Sequence, residues 1–113
     1  MRTFLLIPLL AVVGCESTQC KVGEVASVTV SVYDASGAPQ IADSVTYEVD
    51  GEDRGDCDPL DEAGTEFTCG VEGPGAFVIT VEVGGIMFNG AVEVGMAADG
   101  CHVQGEFLDI SAA

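Results

Sequence analysis

The sequence has few basic residues: three lysines and arginines stand against 19 aspartates and glutamates in 113 residues, a formal net charge of −16. Lys21 and Arg54 are the only basic residues beyond position 14, where all the acids also lie, so this part carries 2 minus 19, or −17. Such a surface repels nucleic-acid phosphates and anionic lipid headgroups. We therefore expect no nucleic-acid partner and no direct attraction to anionic headgroups.

Side chains that serve catalysis are also scarce, since the chain has no tryptophan and one histidine, His102. Any histidine-dependent mechanism must use His102, and its neighbour Cys101 points to the opposite face if both lie on a strand. Ser44, Asp43 and His102 could form a triad, but no nucleophile elbow or similar motif supports it. The sequence thus predicts a protein that is not an enzyme, with a small hydrolase as a distant alternative.

The first 15 residues have the pattern of a secretory signal. Arg2 precedes an apolar run over residues 4–13, which is too short to span a bilayer as a helix. The run leads into Val12-Val13-Gly14-Cys15, which resembles the lipobox of bacterial lipoproteins. This resemblance implies cleavage before Cys15 and a lipid such as palmitate on that cysteine. A plain secretory signal followed by an unrelated cysteine is the alternative.

The resemblance to lipoproteins also implies a location. A lipid on Cys15 would hold the protein in the cell envelope, with the membrane as its first partner. Glu16 follows the cysteine, whereas an aspartate there is associated with retention in the inner membrane of some lipoproteins. We therefore expect a lipid-anchored protein of the outer membrane of a Gram-negative bacterium.

The chain has five cysteines, an odd number. If Cys15 carries lipid, four remain in an oxidising compartment where disulfides persist. Four cysteines allow three pairings, and the spacing favours Cys57 with Cys69, around a short loop, and Cys20 with Cys101, near the two ends of the mature chain. Zinc binding is the competing use, but no Cys-x-x-Cys motif is present.

An apolar period of two runs through the rest of the chain. It is clear over residues 26–32, 45–49 and 77–83, and Gly84-Gly85 predicts a hairpin after the last of these. No stretch has a helical period of useful length. We predict an all-β domain, a small antiparallel β-sandwich of about seven strands that is transthyretin-like or Ig-like. It would span residues 24–113, after a signal peptide at 1–14 and a lipidated tether at 15–23.

Two motifs are typical of a known kind of β-domain. In the first, strand residues are followed by a turn that contains Asp, Gly and Pro, and in the second, a glycine and an aromatic residue begin a strand. They are Val30-Ser-Val32-Tyr-Asp34-Ala-Ser-Gly37-Ala-Pro39 with Ala42-Asp-Ser-Val45, and Gly75-Ala-Phe77-Val-Ile79-Thr-Val81. Over about residues 24–94 they resemble the opening and the closing strand of carboxypeptidase regulatory-like domains. The resemblance implies a transthyretin-like sandwich that is not itself catalytic, and it transfers no ligand-binding residue.

Acidic side chains are densest at residues 48–62, where eight of fifteen residues are acids. The spacing is a distorted form of a calcium-binding loop, with Arg54 at a position where a ligand oxygen is expected. The preferred interpretation is a solvated surface loop closed by a disulfide. The alternative is a calcium site formed by Asp50, Glu52, Asp56, Asp58 and Asp61.

These features predict a membrane-anchored cell-envelope lipoprotein that acts as a non-catalytic structural or binding module. Besides the membrane, its expected partner is an envelope protein or a glycan that the sequence does not identify. A calcium-dependent adhesion or interaction module is the alternative, and a small hydrolase comes third. No cofactor is expected except calcium in the first of these alternatives.

Overall fold

The computed structural model describes residues 23–113, which form eight β-strands in two four-stranded sheets. The strands are β1 (Ala26–Tyr33), β2 (Ser44–Val49), β3 (Glu52–Asp56), β4 (Asp58–Pro59), β5 (Glu66–Val71), β6 (Gly75–Val83), β7 (Ile86–Val94) and β8 (Glu106–Ser111). The first sheet has the order β4-β5-β1-β8 and the second β3-β2-β6-β7. The predicted all-β sandwich is confirmed. None of the described residues belongs to a helix with the length and apolar character needed to cross a membrane.

One strand pair differs from the predicted antiparallel arrangement. β1 pairs antiparallel with β5 but parallel with β8, so that residues 28–33 lie opposite residues 106–111. A parallel pair cannot be closed by a hairpin and needs a long connection. Here the other six strands lie between the two partners. The prediction of a wholly antiparallel sandwich is wrong at this edge, because a period of two is the same for either strand direction.

The strand order agrees with the Ig-like alternative. In that fold, strands A, B, E and D form one sheet, and C, F and G form the other, to which C′ can be added beside C. β1 to β7 occupy the places of B, C, C′, D, E, F and G, and β8 takes the edge position beside β1 that strand A has there.

The core lies between the sheets, and alternate residues of the central strands supply it. Each such valine, isoleucine or phenylalanine contributes roughly 1.5–3 kcal/mol through its burial. Those of β1, β2 and β6 are Val28, Val30, Val32, Val45, Val49, Phe77, Ile79 and Val81. The edge strands β7 and β8 close one side of the sandwich. Gly90 of β7 makes this possible, because a Cβ there would lie 3.0 Å from Leu108 Cδ2 and 3.2 Å from Ile110 Cγ1.

The acidic segment is mostly β-structure and not the predicted loop. Asp50 and Gly51, with φ of 52° and 86°, form the tight turn between β2 and β3, as in a two-residue hairpin. β3 is one edge of its sheet, and β4 is an edge of the other. Acidic side chains are poor strand formers in general, but at a sheet edge they remain in water while the backbone pairs. The composition therefore suggested a loop where the structure has two edge strands.

Candidate functional site

The disulfide between Cys57 and Cys69 is present, as predicted. Cys57 lies between β3 and β4, where the chain passes from one sheet to the other, and Cys69 lies on β5. Both cysteines are buried in the core. Closing a loop of this length stabilises a fold by about 3 kcal/mol in the chain-entropy treatment. Cys101 is also disulfide-bonded. Its predicted partner Cys20 lies outside the described residues, as does Cys15. The pairing of Cys20 with Cys101 and the lipid on Cys15 therefore stay predictions.

The five carboxylates suggested for calcium do not converge. Among residues 23–113, no three His, Cys, Asp or Glu side chains are grouped so that they could hold a metal ion. Asp50 Oδ1 accepts a hydrogen bond from the amide of Ala76 at 2.9 Å. Asp56 and Asp58 belong to strands of different sheets. Successive side chains of a strand point to opposite faces, and the chain passes from one sheet to the other between β3 and β4. Acids that are close in sequence are therefore separated in space.

Asp61, the last of the five, organises a turn. Its Oδ1 accepts hydrogen bonds from the amides of Gly64, Thr65 and Glu66 at 3.0, 2.9 and 3.2 Å, and its Oδ2 accepts one from Thr65 Oγ1 at 2.5 Å. The Thr65 hydroxyl, followed by the backbone amides, lowers the pKa of Asp61 from 3.8 to about 2. This carboxylate is thus committed to the backbone that leads into β5.

His102, the only histidine, lies against a carboxylate. Its Nδ1 is 2.5 Å from Glu72 Oε2, which also accepts a hydrogen bond from the amide of Val25 at 3.0 Å, while Glu72 Oε1 accepts one from the amide of Val103 at 3.0 Å. The contact with His102 is the main reason why the pKa of Glu72 is lowered. Glu72 therefore joins three segments: the residues before β1, the end of β5 and the segment before β8.

The other members of the hypothetical triad bond elsewhere. Ser44 Oγ donates to Glu82 Oε1 at 3.2 Å, and Asp43 Oδ2 accepts from the amide of Gly84 at 2.8 Å. Both contacts hold the start of β2 against the β6–β7 hairpin. In the part of the chain that the structure describes, neither side chain is hydrogen-bonded to His102, so the geometry needed to activate a serine is not assembled.

A pocket of about 260 Å³, which the sequence did not reveal, opens between the two sheets. β2 contributes Tyr47, and the turn from β5 to β6 contributes Pro74. The ring of Tyr47 lies parallel to the buried ring of Phe77, at a centroid distance of 5.8 Å and an interplanar angle of 2°. Gly70, at φ 80°, leaves room above this ring, because a Cβ there would lie 3.1 Å from Phe77 Cε2.

Arg54 lines the same pocket and is the only lysine or arginine between residues 23 and 113. The pairing of β2 with β3 passes from Tyr47–Gly55 to Glu48–Asp53, so Arg54 is the extra residue of a β-bulge. Bulges re-aim side chains and are common beside functional sites. A bulge depends on the pairing of two strands, but Gly55, a glycine with φ of 93° beside Arg54 in β3, was a local signal that could have indicated it.

No protein-family model matches this sequence, and a search of curated proteins finds no match either. The resemblances to lipoproteins and to carboxypeptidase regulatory-like domains therefore stay predictions. The geometry itself provides the candidate functional site, the pocket that is lined by Tyr47, Phe77 and Arg54.

Proposed function

We propose that this protein is a membrane-anchored cell-envelope lipoprotein whose β-sandwich is a non-catalytic binding module. The pocket between the sheets is the observation that carries this proposal. It combines an aromatic floor, Phe77, with a half-buried Tyr47 and one cationic side chain, Arg54. Pockets that bind small molecules characteristically have apolar walls and a few polar groups that fix the ligand's orientation.

The sequence supports the membrane location in this proposal. Cys15, the residue that would carry lipid, precedes Ala26, the first residue of β1, by eleven positions. Even a fully extended chain of that length spans at most roughly 40 Å. A lipidated Cys15 would therefore keep the sandwich close to the membrane surface, where it would meet envelope proteins and glycans.

Binding at the pocket is tested by adding a library of small organic fragments to the ¹⁵N-labelled full chain and recording its NMR spectrum. We expect the amide signals of Gly70 and Gly73, which line the pocket, to shift more than those of β8, an edge strand that contributes no residue to the pocket. Gly70→Ala should weaken these shifts, because the added methyl group would press on the ring of Phe77.

The control for Gly70→Ala is Gly100→Ala, which also replaces a glycine with positive φ but has open space around the new Cβ. It should leave the fragment-induced shifts unchanged. A library that shifts no pocket signal in the wild-type chain would reject the binding function. Shifts that are as large in Gly70→Ala as in the wild type would reject this pocket as the site.

A further inference from the structure

We propose that the pocket selects a carboxylate carried on a small apolar body, with Arg54 as the group that recognises the carboxylate. This inference rests on the proposed binding function and names its ligand class. The C-terminal residue of a peptide and a free organic acid are two sources of this chemistry.

The size and walls of the pocket define the apolar body. A volume of about 260 Å³ is just below the range of roughly 300–1,000 Å³ that holds a drug-sized ligand. A pocket of this volume can hold one apolar side chain together with the carboxylate that the ligand carries. Val49, Val71 and Pro74 line the pocket above the ring of Phe77, so the body should be apolar.

Arg54 is suited to the carboxylate because a guanidinium donates two parallel hydrogen bonds to a carboxylate in a fixed geometry. The present ion pair of Arg54 is weak. Arg54 Nη2 contacts Glu52 Oε1 at 3.4 Å, and the two side chains are 51% and 77% exposed. Exposed pairs of this kind contribute little free energy. A ligand carboxylate can therefore replace Glu52 at small cost.

The net charge of −16 does not by itself exclude an anionic ligand. At physiological ionic strength the Debye length is about 8 Å, so an anion in the pocket interacts mainly with Arg54 and its near neighbours. Those neighbours include Glu52, whose carboxylate repels an anion and offsets part of its attraction to Arg54.

The experiment is an NMR titration of the ¹⁵N-labelled full chain with N-acetyl-L-leucine and with N-acetyl-L-leucinamide, which has the same body and no charge. We expect the acid to bind roughly two- to fivefold more tightly than the amide, because Arg54 is half exposed and an exposed ion pair contributes little free energy. Hexanoate, an acid without a peptide group, distinguishes the sources. Equal affinity for hexanoate points to a free acid, and weaker affinity points to a peptide end, while the carboxylate itself is tested by the comparison of the acid with the amide.

Variants that remove the positive charge of Arg54 and variants that remove a nearby negative charge should change binding in opposite directions. They therefore distinguish recognition of the carboxylate by Arg54 from a structural role of this residue. Arg54→Gln should abolish the preference for the acid, and Arg54→Lys should retain part of it. Glu52→Gln should strengthen binding of the acid, because it removes the competing carboxylate. Asp109→Asn makes the same change in net charge on β8 of the other sheet and should have little effect. The dispersion of each variant's spectrum shows whether it is folded.

Equal affinity of acid and amide in the folded wild-type chain would overturn the carboxylate assignment. If both still shifted pocket signals, the binding function would stand without it. An Asp109→Asn effect as large as that of Glu52→Gln would also overturn the assignment, since net charge would then explain the result. If neither probe nor any library fragment shifted a pocket signal, both proposals would fail.

Discussion

At the scale of single residues, a few polar side chains fix the backbone at the ends of strands. Ser27 has no exposed surface, and its Oγ donates to the carbonyl of Gly73 at 2.8 Å and accepts from the amide of Gly73 at 2.9 Å. Asp61 and Glu72 each accept hydrogen bonds from backbone amides of other residues. The hydroxyl of Ser27, the one buried polar side chain among residues 23–113, is therefore satisfied by hydrogen bonds, as native folds require.

Removing the hydroxyl of Ser27 should destabilise the fold. Ser27→Ala leaves both backbone groups of Gly73 without this partner. An unsatisfied buried group costs about 1–3 kcal/mol, and Gly73 is partly buried, so we expect a loss of about 1 kcal/mol. Ser31→Ala, a change on the same strand at a position that is only partly buried, should alter stability much less. Urea unfolding measures both variants. Equal free energies of unfolding for the two would contradict a special role for Ser27.

Asp61 should make stability depend on acid pH. Its pKa is lowered from 3.8 to about 2 in the folded chain, so the ionised form is favoured there more than in the unfolded chain. Its contribution is present above pH 3.8 and is lost as pH falls from 3.8 towards 2. We expect the difference in unfolding free energy between wild type and Asp61→Asn to shrink over this range. A difference that stays constant from pH 6 to pH 2 would show that the carboxylate charge does not matter.

At the scale of elements, edge strands carry the features that the sequence placed in a loop. β3 and β4 hold much of the acidic segment, but they lie at edges of different sheets. The disulfide from Cys57 to Cys69 fixes the crossover between them. The bulge at Arg54 belongs to the pairing of β2 with β3. The acidic segment thus provides Arg54, the cationic side chain of the pocket, while its acidic side chains are distributed over edge strands of both sheets.

Calcium should therefore stabilise the chain only as a salt. If the acids act through mutual repulsion, sodium chloride at matched ionic strength should raise the melting temperature as much as millimolar calcium does. A specific site would instead add stability by linkage. Differential scanning calorimetry distinguishes the two. A calcium shift that survives high sodium chloride and disappears in Asp56→Asn or Asp58→Asn would establish the calcium-dependent module.

At the scale of the whole molecule, one sandwich follows a segment with the features of a lipoprotein signal. The sandwich closes by pairing the first described strand, β1, with the last, β8. Glu72 adds contacts from the end of β5 to the residues before both of these strands. The two ends of the domain are therefore held together, and a tether at the N-terminal end would hold the entire sandwich.

Replacing Cys15 by Ser should abolish the membrane anchor. Several acyl chains hold a protein far more firmly than the marginal binding of one chain, so the change should release the domain from membranes or leave it uncleaved. Metabolic labelling with a radioactive fatty acid, followed by membrane fractionation, measures the effect. Cys20→Ser is the matched control and should keep the label. Labelling that persists in Cys15→Ser would disprove this anchor.

The sequence by itself determined the central strands β1, β2 and β6 and one of the turns. The alternation of β1, β2 and β6 and the Gly84-Gly85 turn of the β6–β7 hairpin are local patterns, and the structure has them where they were predicted. Tertiary structure decided the parallel pairing of β1 with β8, the contacts of Glu72 and the bulge that places Arg54 beside Tyr47. The first two features join residues that are distant in sequence, and the third depends on the register of two paired strands. A periodic pattern specifies which face of a strand is buried, but it does not specify which strand lies beside it.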